Sequence, residues 1–231
     1  MSKKLIMSCM AAAAFAAFVL PATASALNTP TLTDAGGHVA VGSKIWGTNV
    51  GDTIFYDTKT ETKQVTCTTA DFTGEVTKNS ENTVEGKITL ATFAGTGAVH
   101  PDNNHKECAN IFGAGAAITV TRMPLIVKST QAMADDEVQI SGTGGNIRFD
   151  IIDTTVGTCE YEATNAAIIA HYTTGTSASE DATVTTTDTE KGSGAKKIAG
   201  GFFCPTSGVL KMTFTLETDT GNSTADPIWI S

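Results

Sequence analysis

Ten residues near the middle of the chain, VHPDNNHKEC at 99–108, carry most of its metal-binding chemistry. His100 and His105 offer imidazole nitrogens, Asp102 offers a carboxylate, and together they form a weak candidate metal site. The spacing argues against it. Helical zinc pairs sit four residues apart, whereas these histidines are five apart in a stretch whose Pro101, Asn103 and Asn104 favour a turn. Cys108 closes the stretch, and a cysteine held in a disulfide has no thiolate to give a metal. The favoured reading is a polar loop leading into a disulfide-bearing strand.

Other chemistry is sparse. GTGGN, 142–146, is glycine-rich, but a phosphate cradle must open a helix, and IRFDII follows it with the pattern of a strand. There is no G-x-S-x-G and no C-x-x-C, and His38 and His171 have no serine or cysteine partner nearby in sequence. No catalytic residue and no cofactor motif is therefore singled out, although a triad assembled from distant positions would leave no such motif. Glu217, Asp219, Asn222 and Asp226 form an oxygen-rich stretch lacking the central glycine and spacing of a calcium loop. NST at 222–224 is a glycosylation sequon. Trp46 and Trp229 each sit beside isoleucine, which favours core over an exposed ligand patch.

The elements that would position these groups begin with a leader. Lys3 and Lys4 precede an apolar run from Leu5 to about Leu20, followed by PATASA, so residues 1–26 read as a secretory signal peptide cut after Ala26, with Ala24 as second choice. Nothing later is long and apolar enough for a membrane-spanning helix. Removing residues 1–26 takes away two of the 15 basic residues and none of the 24 acidic ones, so the net charge moves from −9 to about −11. A chain this acidic, with no basic run, repels nucleic acid and excludes it as a partner. The expected location is extracellular, and the expected partner an extracellular protein, a glycan or a small molecule.

Four cysteines remain: Cys67, Cys108, Cys159 and Cys204. In an exported chain an even number predicts two disulfides, with three connectivities open. The spacing hints at a duplication with an offset of about 94 residues. GDTIFYD at 51–57 and GGNIRFD at 144–150 both fit G-x-x-I-x-[YF]-D, matching Gly51 to Gly144, Ile54 to Ile147, Tyr56 to Phe149 and Asp57 to Asp150. If the duplication is real, the pairs are Cys67–Cys108 and Cys159–Cys204, in halves spanning 27–130 and 131–231.

Threonine accounts for 40 of the 231 residues, and this with 22 glycines and few aromatic residues predicts strands and turns. The best helical candidate, EATNAAIIAHY at 162–172, fits a strand pair as well. Pro124 breaks AAITVTRMPLIVK at an edge, a bulge or a crossing between sheets. VLKMTFTLE is the cleanest amphipathic strand: Leu210, Met212, Phe214 and Leu216 share one face, opposite Val209, Lys211, Thr213 and Thr215. The expected fold is all-β, with immunoglobulin-like sandwich halves of one disulfide each.

FDIIDTTVGTCEYEA and FFCPTSGVLKMTFTLETD resemble a group of uncharacterised secreted proteins from high-GC Gram-positive bacteria, which share a Cys-x-Tyr strand, a Cys-Pro and a Thr-rich amphipathic strand. The likeness is strongest over 116–231, and MPLIV stands where that group often has tryptophan after the proline. It implies no function and no site residues. In composition alone the chain is also similar to small acidic chromoprotein-binding sandwiches. The leading expectation is a secreted, non-enzymatic β-sandwich protein with a binding or cell-envelope role. The alternative is a carrier of a small apolar ligand, and an extracellular hydrolase comes third.

Overall fold

The computed structural model describes residues 31–34, 37–80, 82–96, 107–130, 133, 137–153, 155–163, 167–173, 182–186, 194–219, 225–227 and 229–230. All regular structure among them is strand: β1 (Leu32–Asp34), β2 (Gly37–His38), β3 (Lys44–Asn49), β4 (Thr53–Asp57), β5 (Thr62–Cys67), β6 (Thr69–Ser80), β7 (Thr83–Ala94), β8 (Cys108–Asn110), β9 (Gly115–Val120) and β10 (Leu125–Thr130). They continue as β11 (Glu137–Gly142), β12 (Arg148–Asp153), β13 (Gly157–Ala163), β14 (Ala167–Thr173), β15 (Thr183–Thr186), β16 (Gly194–Ala199), β17 (Ser207–Asp219), β18 (Ala225–Pro227) and β19 (Trp229–Ile230). The helical alternative at 162–172 gives way to β14, whose Ile168, Ala170 and Tyr172 alternate inward.

Strand pairing closes twice. One antiparallel ring runs β3-β6-β7-β10-β11-β14-β15-β17 and returns to β3; the other runs β4-β5-β8-β9-β12-β13-β16-β17 and returns to β4. Each ring has eight strands, and the two share β17. Seven of the eight staves are broken between the rings: β3 passes into β4, β5 into β6, and so on to β15 and β16. Among the described residues only β17 runs through both rings unbroken. Its Gly208–Lys211 stretch pairs with β4 in the upper ring, and its Phe214–Thr218 stretch pairs with β3 in the lower. The order around each ring is the chain order, an up-and-down barrel. An immunoglobulin-like sandwich would instead show two open sheets joined by Greek-key crossings, so the all-β expectation holds and the observed closure is that of a barrel.

β10 ends at Thr130 and β11 opens at Glu137, and the strands on each side of that connection supply four staves to each ring, β17 counting in both. Pro124 sits where the chain crosses from β9 in the upper ring to β10 in the lower, one of the three roles its missing N–H suggested. Residues 142–146 make the equivalent crossing from β11 to β12, with Gly142 bridging Gly145.

Period-two alternation builds the core. Phe149, Ile151 and Asp153 of β12 turn inward in the upper ring, where Phe55, Phe149 and Tyr161 pack as a triad with ring centroids 4.9–5.8 Å apart. The matched motif is out of step here. Phe149 is core, but in β4 the core aromatic is Phe55, and Tyr56, its sequence match, is only half-buried. A one-residue offset in a period of two turns the other face inward. Each buried Phe, Ile, Leu or Val contributes about 1.5–3 kcal/mol of burial.

Threonine covers the outside. Thr185 and Thr213 face each other across β15 and β17 with hydroxyls 3.0 Å apart, and the Thr215 hydroxyl donates to the Thr48 carbonyl at 3.2 Å. Such β-branched cross-strand pairs stabilise a wet sheet face.

Two disulfides join Cys67 to Cys108 and Cys159 to Cys204, the pairs the duplication selected. Both lie within the upper ring. The first ties the base of β5 to its neighbour β8, beside the crossing to the lower ring; the second ties β13 to the turn before β17.

Candidate functional site: an apolar cavity in the lower ring

The candidate metal ligands His100, Asp102 and His105 lie outside the described residues. Cys108 is committed to its disulfide. Among the described residues no three His, Cys, Asp or Glu side chains gather as a metal site. The oxygen-rich stretch is placed in part: Glu217 and Asp219 belong to β17, and β18 pairs back so that Thr218 faces Asp226, making strand where a loop was expected. The sequon at 222–224 lies outside the described residues. Trp46 is half-buried on β3, opposite Glu217 and Thr73, and its neighbour Ile45 holds the core position.

One concave feature of the fold lies inside the lower ring. A cavity of about 140 Å³ runs from Leu32 and Val138 at its base to Ile118 and Phe149 at the junction with the upper ring. Leu210, Met212, Phe214 and Leu216, the apolar face predicted for β17, all line it. The walls are mostly hydrocarbon and aromatic, and no titratable side chain is among them. The two polar side chains in the wall are already satisfied. The Ser129 hydroxyl donates to the Glu137 carbonyl at 3.0 Å, and the Thr186 hydroxyl donates to the Leu210 carbonyl at 2.8 Å while accepting from the Met212 N–H at 3.2 Å.

The base is covered by the small sheet β19-β1-β2, which places Leu32 in the cavity wall. Asn79, near the end of β6, fastens this cover. Its side-chain amide donates to the carbonyls of Leu32 and Val39, both at 2.8 Å, and its carbonyl oxygen accepts from the Leu32 N–H at 3.0 Å. At the top, the Phe55–Phe149–Tyr161 triad fills the upper ring. The Tyr161 hydroxyl donates to the Pro205 carbonyl at 3.1 Å, and burial, with a smaller push from Asp57, drives its pKa far above the ordinary phenol value.

The shifted carboxylates lie elsewhere. Asp150 on β12 is raised by desolvation and then by the charge of Glu160, its partner across β13. Glu162 is lowered by hydrogen bonds from Arg148 and Asn146. Neither lines the cavity, and the hydroxyls of Ser129 and Thr186 are the polar side-chain groups at its wall among the described residues. Sequence reasoning found one wall through the alternation in β17. The other walls needed the ring closure, which periodicity along one strand does not reveal.

No protein-family model, curated protein or solved structure matches this chain.

Proposed function

We propose that the protein is a secreted, non-enzymatic carrier that holds one small apolar molecule inside its lower ring. The observation that carries this reading is the cavity of about 140 Å³ with an apolar wall and every wall hydroxyl already bonded. An eight-stranded barrel is wide enough either to fill with side chains or to hold one small ligand. An apolar cavity of roughly 150 Å³ stays dry and accepts benzene. A charged ligand would find no countercharge and would be rejected, and a ligand hydroxyl would meet only wall hydroxyls whose protons are already donated. The signal-peptide pattern at 1–26, the two disulfides and the acidic surface support a life outside the cell.

The test is a pair of measurements on the exported protein. Native mass spectrometry followed by solvent extraction shows whether an apolar molecule co-purifies. Thermal unfolding with benzene and with phenol shows whether the cavity takes a ring and rejects a hydroxyl. The expected result is stabilisation by benzene of about 1.4–2.7 kcal/mol at ten to a hundred times its Kd, and less by phenol. No co-purified molecule together with no benzene effect leaves the envelope or adhesive role as the better reading.

A further inference from the structure

A second concavity, of about 110 Å³, opens at the far end of the molecule, in the mouth of the upper ring. Its floor is the buried rings of Phe55 and Tyr161. Its sides include Phe112, from the β8–β9 turn, and Phe203, from the β16–β17 turn, which are 64% and 74% exposed. Four aromatic side chains from separate strands and turns thus share one small pocket.

Asp153 lines the same pocket and is only 7% exposed. Its carboxylate accepts from the Asn110 side-chain amide at 2.8 Å and from the N–H groups of Thr155 and Val156 at 2.7 and 3.1 Å. All three donors are neutral. Among the described residues no lysine or arginine pairs with it, and no cationic side chain lines the pocket. Lys197 Nζ, from β16, donates to the Gly201 and Cys204 carbonyls, each at 3.2 Å. A buried carboxylate without a countercharge is costly, and an arriving cation relieves that cost. Aromatic faces attract the same cation through their quadrupoles.

We propose that the upper mouth binds a small organic ammonium ion, with Asp153 supplying the charge and Phe112 and Phe203 the aromatic walls above the buried rings of Phe55 and Tyr161. An alkylated ammonium fits better than a metal ion. Its carbon periphery is weakly hydrated and suits ring faces, whereas a hard metal ion demands a shell of oxygens that this pocket does not offer. The site is separate from the lower-ring cavity and stands or falls independently of the carrier reading.

The probe is tetramethylammonium chloride, titrated into the full chain at constant ionic strength, with tert-butanol as a neutral body of similar size. Saturable binding is expected, about tenfold weaker for tert-butanol and weakened about tenfold in both Asp153→Asn and Phe203→Ala. If Asp153→Asn disturbs its turn, Phe203→Ala decides, because that side chain stands in solvent. No saturation, equal affinity for tert-butanol, or undiminished binding in Phe203→Ala overturns the proposal. Vesicles separate the two sources of this chemistry. Retention on phosphatidylcholine but not phosphatidylglycerol assigns a lipid headgroup, and binding of the free ion without vesicle retention assigns a free amine.

Discussion

The ring of Phe55 occupies the space that a side chain on Gly208 would need: a Cβ placed on Gly208 falls 2.1 Å from the Phe55 ring. Gly208 is the second residue of the shared strand β17, and Phe55 belongs to the upper aromatic triad. Gly208→Ala therefore forces a fully buried ring to move. It is expected to lower stability by about 1–3 kcal/mol in urea unfolding. Gly201→Ala, where the nearest atom is 3.9 Å away, is the control and should stay within about 0.5 kcal/mol.

The cavity makes the opposite demand on Gly86. A Cβ there meets nothing closer than 3.5 Å, and the residue lines the apolar space. Gly86→Val should fill part of the cavity, raise stability by about 0.5–2 kcal/mol and abolish stabilisation by benzene. A variant that gains stability yet still responds to benzene would place the ligand elsewhere.

The cover over the cavity base hangs on Asn79. Asn79→Ala removes three hydrogen bonds to the chain around β1. Hydrogen exchange should accelerate at Leu32 and Val39 while the upper ring is unaffected, and release of a bound apolar probe should quicken. Unchanged exchange at Leu32 would show that the cover is held by packing alone.

Asp150 and Glu160 face each other across β12 and β13 as like charges. The folded pKa of Asp150 is raised above 3.8, so the native state holds this proton more tightly than the unfolded chain does. The favourable contribution is complete below 3.8 and fades as pH rises through the higher folded value. Asp150→Asn should thus raise the urea midpoint near neutral pH, and the gain should shrink toward pH 3. Glu162 works in the other direction. Its lowered pKa gives stability above the unfolded value that is lost on acidification, so Glu162→Gln should weaken the protein near neutral pH and lose its effect in acid.

Each disulfide closes a long loop, with sequence separations of 41 and 45. Replacing either pair with alanines should cost about 4 kcal/mol by loop entropy. All four cysteines are buried, so mild reductant should leave both bridges intact in the native state and cut them only under denaturing conditions. Thiol counting before and after denaturation reads this directly.

Local chemistry was legible in the sequence. Alternation along 209–216 marked the inward face of β17, Pro124 marked an edge, a bulge or a crossing, and the cysteine spacing gave the observed bridges on the condition of an internal duplication. The closure was not, because an eight-stave barrel and a sandwich use the same two-residue period and the same turns. The register of the internal repeat was misleading for a related reason. Tyr56 and Phe149 match in type, yet the core ring of β4 is Phe55, whose space is left open by Gly208 on a strand more than 150 residues away. The pocket at Asp153 was equally hidden, since its rings come from four separate staves and turns.

The unbroken strand β17 also governs how the chain reaches its native state. Every other stave is laid down before it, and the contacts that seal the lower ring join Asn49 to Phe214 and Thr48 to Thr215. Neither ring can close until this one segment docks, and its departure opens both. Refolding should be slow for the chain's size, limited by these distant pairings, and unfolding should proceed as one cooperative event rather than ring by ring.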